Sequence, residues 1–103
     1  MVRLNIKALS ANKLWRGRRY KTKDYERYER DLLLLLPELD EITDRIEIRV
    51  GLSNRRADLD NVAKGFIDIL QKRYGFDDNR LRRIVLEKEI VKRGEEYIEF
   101  CFV

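Results

Sequence analysis

Residues 59–74, LDNVAKGFIDILQKRY, decide the fold. Apolar side chains recur at Leu59, Val62, Ala63, Phe66, Leu70 and Tyr74, the spacing of one face of a helix. Gly75 follows, as expected of a residue that closes a helix in the left-handed conformation. On either side the period changes from that of a helix to that of a strand. Residues 42–50 alternate, with Ile46, Ile48 and Val50 on one face and Arg45, Glu47 and Arg49 on the other. Residues 51–56 read as a loop. Beyond the helix, residues 76–79 (FDDN) read as a tight acidic connection and residues 82–91 as a strand. Residues 92–95, with Gly94, read as a hairpin turn. Residues 97–103 read as a last strand with Ile98, Phe100 and Phe102 on one face.

The N-terminal part completes the order. Val2, Leu4, Ile6 and Ala8 alternate with polar residues and predict a first strand. Residues 22–36 predict a helix: Thr22 is placed to cap it, Asp24 sits in its first turn, and Pro37 stops it. Its stripe is Tyr25, Tyr28, Leu32 and Leu35. The five leucines 32–36 cover the whole circumference of the last turns, which asks for burial on all sides. That is either a deeply buried helix end or a subunit contact, and in so small a chain the contact is the preferred reading. The order β-α-β-α-β-β predicts one domain over residues 1–103. Its class is α+β, a small mixed sheet of about four strands with two main helices.

Composition narrows the function. The chain has 103 residues, 44% hydrophobic and 41% charged, with 23 Lys+Arg against 19 Asp+Glu for a net charge of +4. A modest cationic excess suits either an anionic partner such as nucleic acid or a surface rich in ion pairs. Distribution favours the former: Lys13, Arg16, Arg18, Arg19, Lys21 and Lys23 form a run without an acid. Trp15 and Tyr20 sit within it. Arginines neutralise phosphates and aromatic faces stack on bases; equally, the run is a solvated loop with Trp15 tucked into the core. Cys101 is the single cysteine, so there is no intrachain disulfide and no cysteine zinc site, as expected of a cytoplasmic protein. No signal peptide or membrane span is legible. There is no histidine. That zero removes Ser-His-Asp and Cys-His catalysis, histidine-metal nucleases and histidine general bases. Any enzymatic chemistry rests on carboxylates, lysines and a metal.

The acids fall where such chemistry needs them. Residues 55–64, RRADLDNVAK, set Asp58 and Asp60 into a cationic loop, with Lys64 one turn further on. Asp60 and Lys64 share a helix face away from the apolar stripe. Asp58 precedes the first turn, so its side chain is free to converge with that of Asp60. Asp77 and Asp78 lie beyond the helix, on the order of 20 Å along it. The intervening chain must turn back to bring Asp78 to the first pair, or a second subunit must supply it. One by one, Asp58 reads as a cap, Asp60 as half of an ion pair with Lys64, and residues 77–79 as a turn. Together they match the needs of a Mg²⁺-dependent nuclease, because magnesium takes hard carboxylate oxygens with water and phosphate.

R-R-A-D-L-D-N-V-A-K, then F-I-D-I-L, then G-F-D-D-N, closely resembles the RusA family of Holliday junction resolvases. The resemblance covers most of the chain, and residues 55–79 are its specific part. S-A-N-K at 10–13 resembles the family's P-S-x-N region, although Leu9 replaces the proline. The resemblance implies a homodimeric endodeoxyribonuclease that binds four-way, branched DNA and makes paired cuts with Mg²⁺, or with Mn²⁺ in its place. It implies Asp58, Asp60 and Asp78 as metal ligands and catalytic acids, and Lys64 as the catalytic lysine. Asp77 is then a ligand or a support. Lys13, Arg16, Arg18, Arg19, Arg55 and Arg56 are expected to hold the DNA backbone.

Overall fold

The computed structural model describes residues 1–10 and 22–103 in full, and of residues 11–21 the backbone of Trp15–Arg16 and Tyr20–Lys21. Strand β1 spans Val2–Leu4, β2 Trp15–Arg16 and β3 Tyr20–Lys21. Helix α1 spans Lys23–Leu35, β4 Arg45–Leu52, α2 Leu59–Tyr74, β5 Arg83–Ile90 and β6 Tyr97–Phe102. Strands β2 and β3 form a small antiparallel ribbon. The other four form one mixed sheet in the order β1-β6-β4-β5, with β4 and β5 parallel and the remaining neighbours antiparallel. The expected α+β class and element order hold. No helix among the described residues is long and apolar enough to cross a membrane.

The core lies between one sheet face and the two helices. Ile46, Ile48 and Val50 of β4 meet Phe102, Phe100 and Ile98 of β6 across the sheet. Val62, Phe66, Ile69 and Leu70 of α2 and Tyr25, Tyr28 and Leu32 of α1 close over them. Phe66 and Phe100 pack edge to face at 5.5 Å, the arrangement the ring quadrupoles favour. The other sheet face is charged. Arg3 bonds Glu99 at 2.6 Å and Arg49 approaches Glu87 at 3.4 Å.

Several boundaries move, each for a physical reason. The first strand ends at Leu4 instead of Ala8, because the chain turns tightly there and the Ile6 N–H donates back to Leu4 O. In α1 the buried stripe runs Tyr25, Tyr28, Leu32, Leu36. Leu35 is half exposed, so the stripe keeps helical pitch by stepping four residues at its end. Leu34 is the most exposed of the leucine run at 81%. Strand β4 runs two residues past Val50, through Gly51 and Leu52. Glycine is needed at 51, since a Cβ there would stand 2.3 Å from the ring of Tyr97.

The expected hairpin between β5 and β6 is not formed. The turn exists, with Gly94 at φ 93° and Glu95 N–H donating to Lys92 O. The strands it joins are separated by β4. Burial explains the choice. Tyr97, Ile98 and Phe100 are almost fully buried, so β6 belongs in the middle of the sheet, whereas β5 is largely exposed and charged and takes the edge.

Candidate metal and DNA site

The parallel pair β4 and β5, with α2 between them in sequence, puts the acids at two places. Strand β4 delivers the chain to the N-terminus of α2. There Asn54 folds the loop, its side-chain oxygen accepting from Arg56 N–H at 2.9 Å. Lys88 of β5 fastens the same loop from below, donating to Arg55 O at 3.1 Å and Ala57 O at 3.2 Å. Asp58 is then the N-cap residue, with φ −78° and ψ 122°. An aspartate there usually accepts a backbone N–H of the first turn. Asp58 does not. Its nearest polar neighbour is the Asn61 amide at 3.4 Å. Asp60, in the first turn, and Lys64, one turn on, are both exposed, and among the described residues neither is in an ion pair. The expected Asp60–Lys64 pair is therefore not made.

A cleft of about 510 Å³ opens beside this helix start. Lys7, Ser10, Asp24, Asn54, Arg56, Asp58 and Asn61 contribute its polar groups. Two of them are cations beside the Asp58 carboxylate. The N–H groups of the first turn add the positive end of the helix dipole. Arg55 and Arg56 are both exposed. Lys13, Arg18 and Arg19 lie outside the described residues, as does the side chain of Arg16.

Asp78 stands elsewhere. It opens a short 3-10 turn, Asp78–Arg80, beyond the C-terminus of α2. Asp77 caps that turn, accepting from Asn79 N–H at 3.3 Å. Gln71 accepts the Asp78 N–H at 3.1 Å and donates its amide to Asp68 at 3.4 Å. The carboxyl of Asp68 is raised, first by desolvation and then by the Asp78 charge, while Lys64 pulls it back down. The 16-residue helix separates Asp58 from Asp78 by roughly 24 Å at 1.5 Å per residue. Asp58 and Asp60 share one end of α2, Asp78 holds the other, and a single copy does not unite them. Among the described residues no group of three or more acidic, histidine or cysteine side chains is gathered closely enough to hold a metal.

Comparison with protein families decides the identity. The model of Endodeoxyribonuclease RusA matches residues 5–99. The chain belongs to the RusA family. The match runs from the end of β1 into β6 and so includes the helix start, the cleft and the 3-10 turn. RusA enzymes are endodeoxyribonucleases of Holliday junctions, and the expected family and chemistry class stand. No individual curated protein matches the chain.

Lys88 is the residue that reading the sequence passed over. It occupies a position in β5 whose neighbours on the same face are Ile84, Leu86 and Ile90. A lysine in that apolar row is the signal that could have marked it, because a buried stem with a committed ammonium is the usual reason for one.

Proposed function

We propose that this RusA-family chain resolves four-way DNA junctions by paired symmetric nicks in a Mg²⁺-dependent reaction, with Mn²⁺ able to substitute, and that it works as a homodimer. The observation that carries the reading is the Asp58 carboxylate. It is exposed beside a cationic cleft and takes no cap hydrogen bond.

The donor set fits magnesium. Asp58 and Asp60 are two exposed hard-oxygen donors on neighbouring positions, and Mg²⁺ is held by one or two carboxylates together with water and substrate phosphate. Bound there, the ion would supply activation of water and neutralisation of charge at the scissile phosphate. The protein's own groups do the rest. Arg56 and Lys7 line the cleft and would neutralise phosphates of the incoming strand. The first-turn N–H groups of α2 orient a phosphate oxygen. Lys64 stands one turn along the helix, where its ammonium would oppose charge developing on the phosphate. Lys88 keeps the 55–57 loop, and with it the start of α2, in place.

Asp78 enters this scheme from a second copy. Its separation from Asp58 and Asp60 by the length of α2 supports a site shared between protomers, and two such sites related by a two-fold axis suit two symmetric cuts.

The test is cleavage of a synthetic four-way junction with Mg²⁺ or EDTA, beside duplex and flap controls. Paired nicks on the junction alone, abolished by EDTA, are expected. Asp60→Asn is expected to stop cutting while keeping or tightening junction binding, because it removes a ligand and also a negative charge facing phosphate. Parental cutting by Asp60→Asn would overturn the site. Cutting of flaps in preference to junctions would overturn the substrate.

A further inference from the structure

Strand β5 ends the sheet. It pairs with β4 on one side and with no strand on the other among the described residues. It is eight residues long and largely exposed. Edges of that length present a row of free N–H and C=O groups, and stable proteins shorten, bulge or cover them. Hydrogen bonds at the two ends of β5 fix which groups are free. Arg83 N–H donates to Asp44 O and Val91 N–H to Leu52 O, both towards β4. Odd-numbered residues thus turn their backbone groups to β4, and Ile84, Leu86, Lys88 and Ile90 turn theirs outward. The same four side chains share the helix-covered face with Ile46, Ile48, Val50 and Leu52. Ile84 and Ile90 are nevertheless 44% and 42% exposed. A hydrogen-bonding edge and uncovered apolar side chains therefore coincide.

We infer that β5 pairs antiparallel with β5 of a second copy about a two-fold axis, joining two four-stranded sheets into one. The inference rests on the shared-site reading above and names its interface. The acids set the direction. The start of α2 lies at the end of β5, where Lys88 holds the 55–57 loop, and Asp78 lies just before the start of β5. Antiparallel pairing brings the start of one β5 alongside the end of the other. It carries Asp78 of the second copy to the side of the molecule that holds Asp58 and Asp60. Charge narrows the register. With the axis at Val85, Arg83 faces Glu87 and Ile84 faces Leu86. With the axis at Leu86, Arg83 faces Glu89. With the axis at Glu87, two glutamates would meet in a closely spaced pair, which is unfavourable.

The test is sedimentation equilibrium without DNA or metal. The parent protein is expected to be a dimer. Ile84→Lys combined with Ile90→Lys is expected to weaken the dimer at least tenfold with an unchanged circular dichroism spectrum. Cysteine cross-linking keeps the inference testable if that variant does not fold. In a Cys101→Ser background, Val85→Cys or Leu86→Cys is expected to give a disulfide-linked dimer on oxidation, since facing residues across an antiparallel pair fall within disulfide reach. A parent monomer, an undiminished dimer in the double-lysine variant, or no cross-link from either cysteine would overturn it. Neither measurement involves cleavage, so the junction assay judges the chemistry separately.

Discussion

At its C-terminal end α2 is closed by its own chain: Gly75 adopts φ 68° and returns its N–H to Gln71 O, and Asp77 caps the turn that follows. At its N-terminal end nothing comparable happens. Asp58 stands at the cap position without capping, and Asp60 and Lys64 stand exposed without forming an ion pair. Helix α1 gives the internal reference, because Thr22 does cap it, accepting from Tyr25 N–H at 3.1 Å. The same local chemistry is used for stability at one helix start and left available at the other. Polar groups left available on a surface are the ones a ligand can claim.

Four substitutions test that contrast, from the largest effect downwards. Asp58→Asn should lower junction cleavage more than about a hundredfold, the scale of losing one electrostatic group from a reacting site. Asparagine caps as well as aspartate, so thermal stability should hold within about 0.5 kcal/mol; a matching loss of stability would mean that the carboxylate serves the fold. Lys88→Met should lower cleavage about tenfold, as removal of a supporting contact does, because the 55–57 loop loses two hydrogen bonds. Mg²⁺ titration of the residual activity checks that the acids themselves survive. Gly75→Ala acts at the closed end. A side chain there meets no neighbour within 4 Å, yet the left-handed conformation should cost about 1–2 kcal/mol in denaturant unfolding. Asp68→Asn should have the smallest effect. Its carboxyl is raised in the folded protein by desolvation, so ionisation is disfavoured by folding. The penalty is present above the folded pKa and absent below the unfolded one. The variant should melt slightly higher than the parent at neutral pH and equally at low pH; a gain that persists in acid would assign the effect to something other than charge.

Much of this was legible in sequence, and the exceptions share a cause. The bounds of α2 follow from apolar spacing and Gly75, both local signals, and the structure reproduces them at Leu59 and Tyr74. The capping of α1 by Thr22 is equally local. Strand order is not. The turn at 92–95 has the residues of a hairpin, but β6 inserts on the far side of β4 because it is the more apolar strand. Gly51 reads as a break and lies inside β4, since the ring that requires it comes from residue 97. The acid set divides in the same way. Asp58, Asp60 and Lys64 are recognisable from their spacing on one helix. The separation of Asp78 follows from helix length, whereas its partner depends on a second chain that no single sequence displays. Lys88 was missed because its role is visible only when β5 lies beneath the 55–57 loop.

The separation of Asp78 from Asp58 and Asp60 also has a kinetic consequence. If each reactive centre draws carboxylates from two molecules, one molecule alone is inert, and the active fraction follows the association equilibrium. Far below the dissociation constant the dimer concentration rises as the square of the total, so halving the protein leaves about a quarter of the activity by mass action. A nuclease of this design would be nearly silent when dilute and would switch on over a narrow range of abundance. Dosage would then restrain it without an inhibitor.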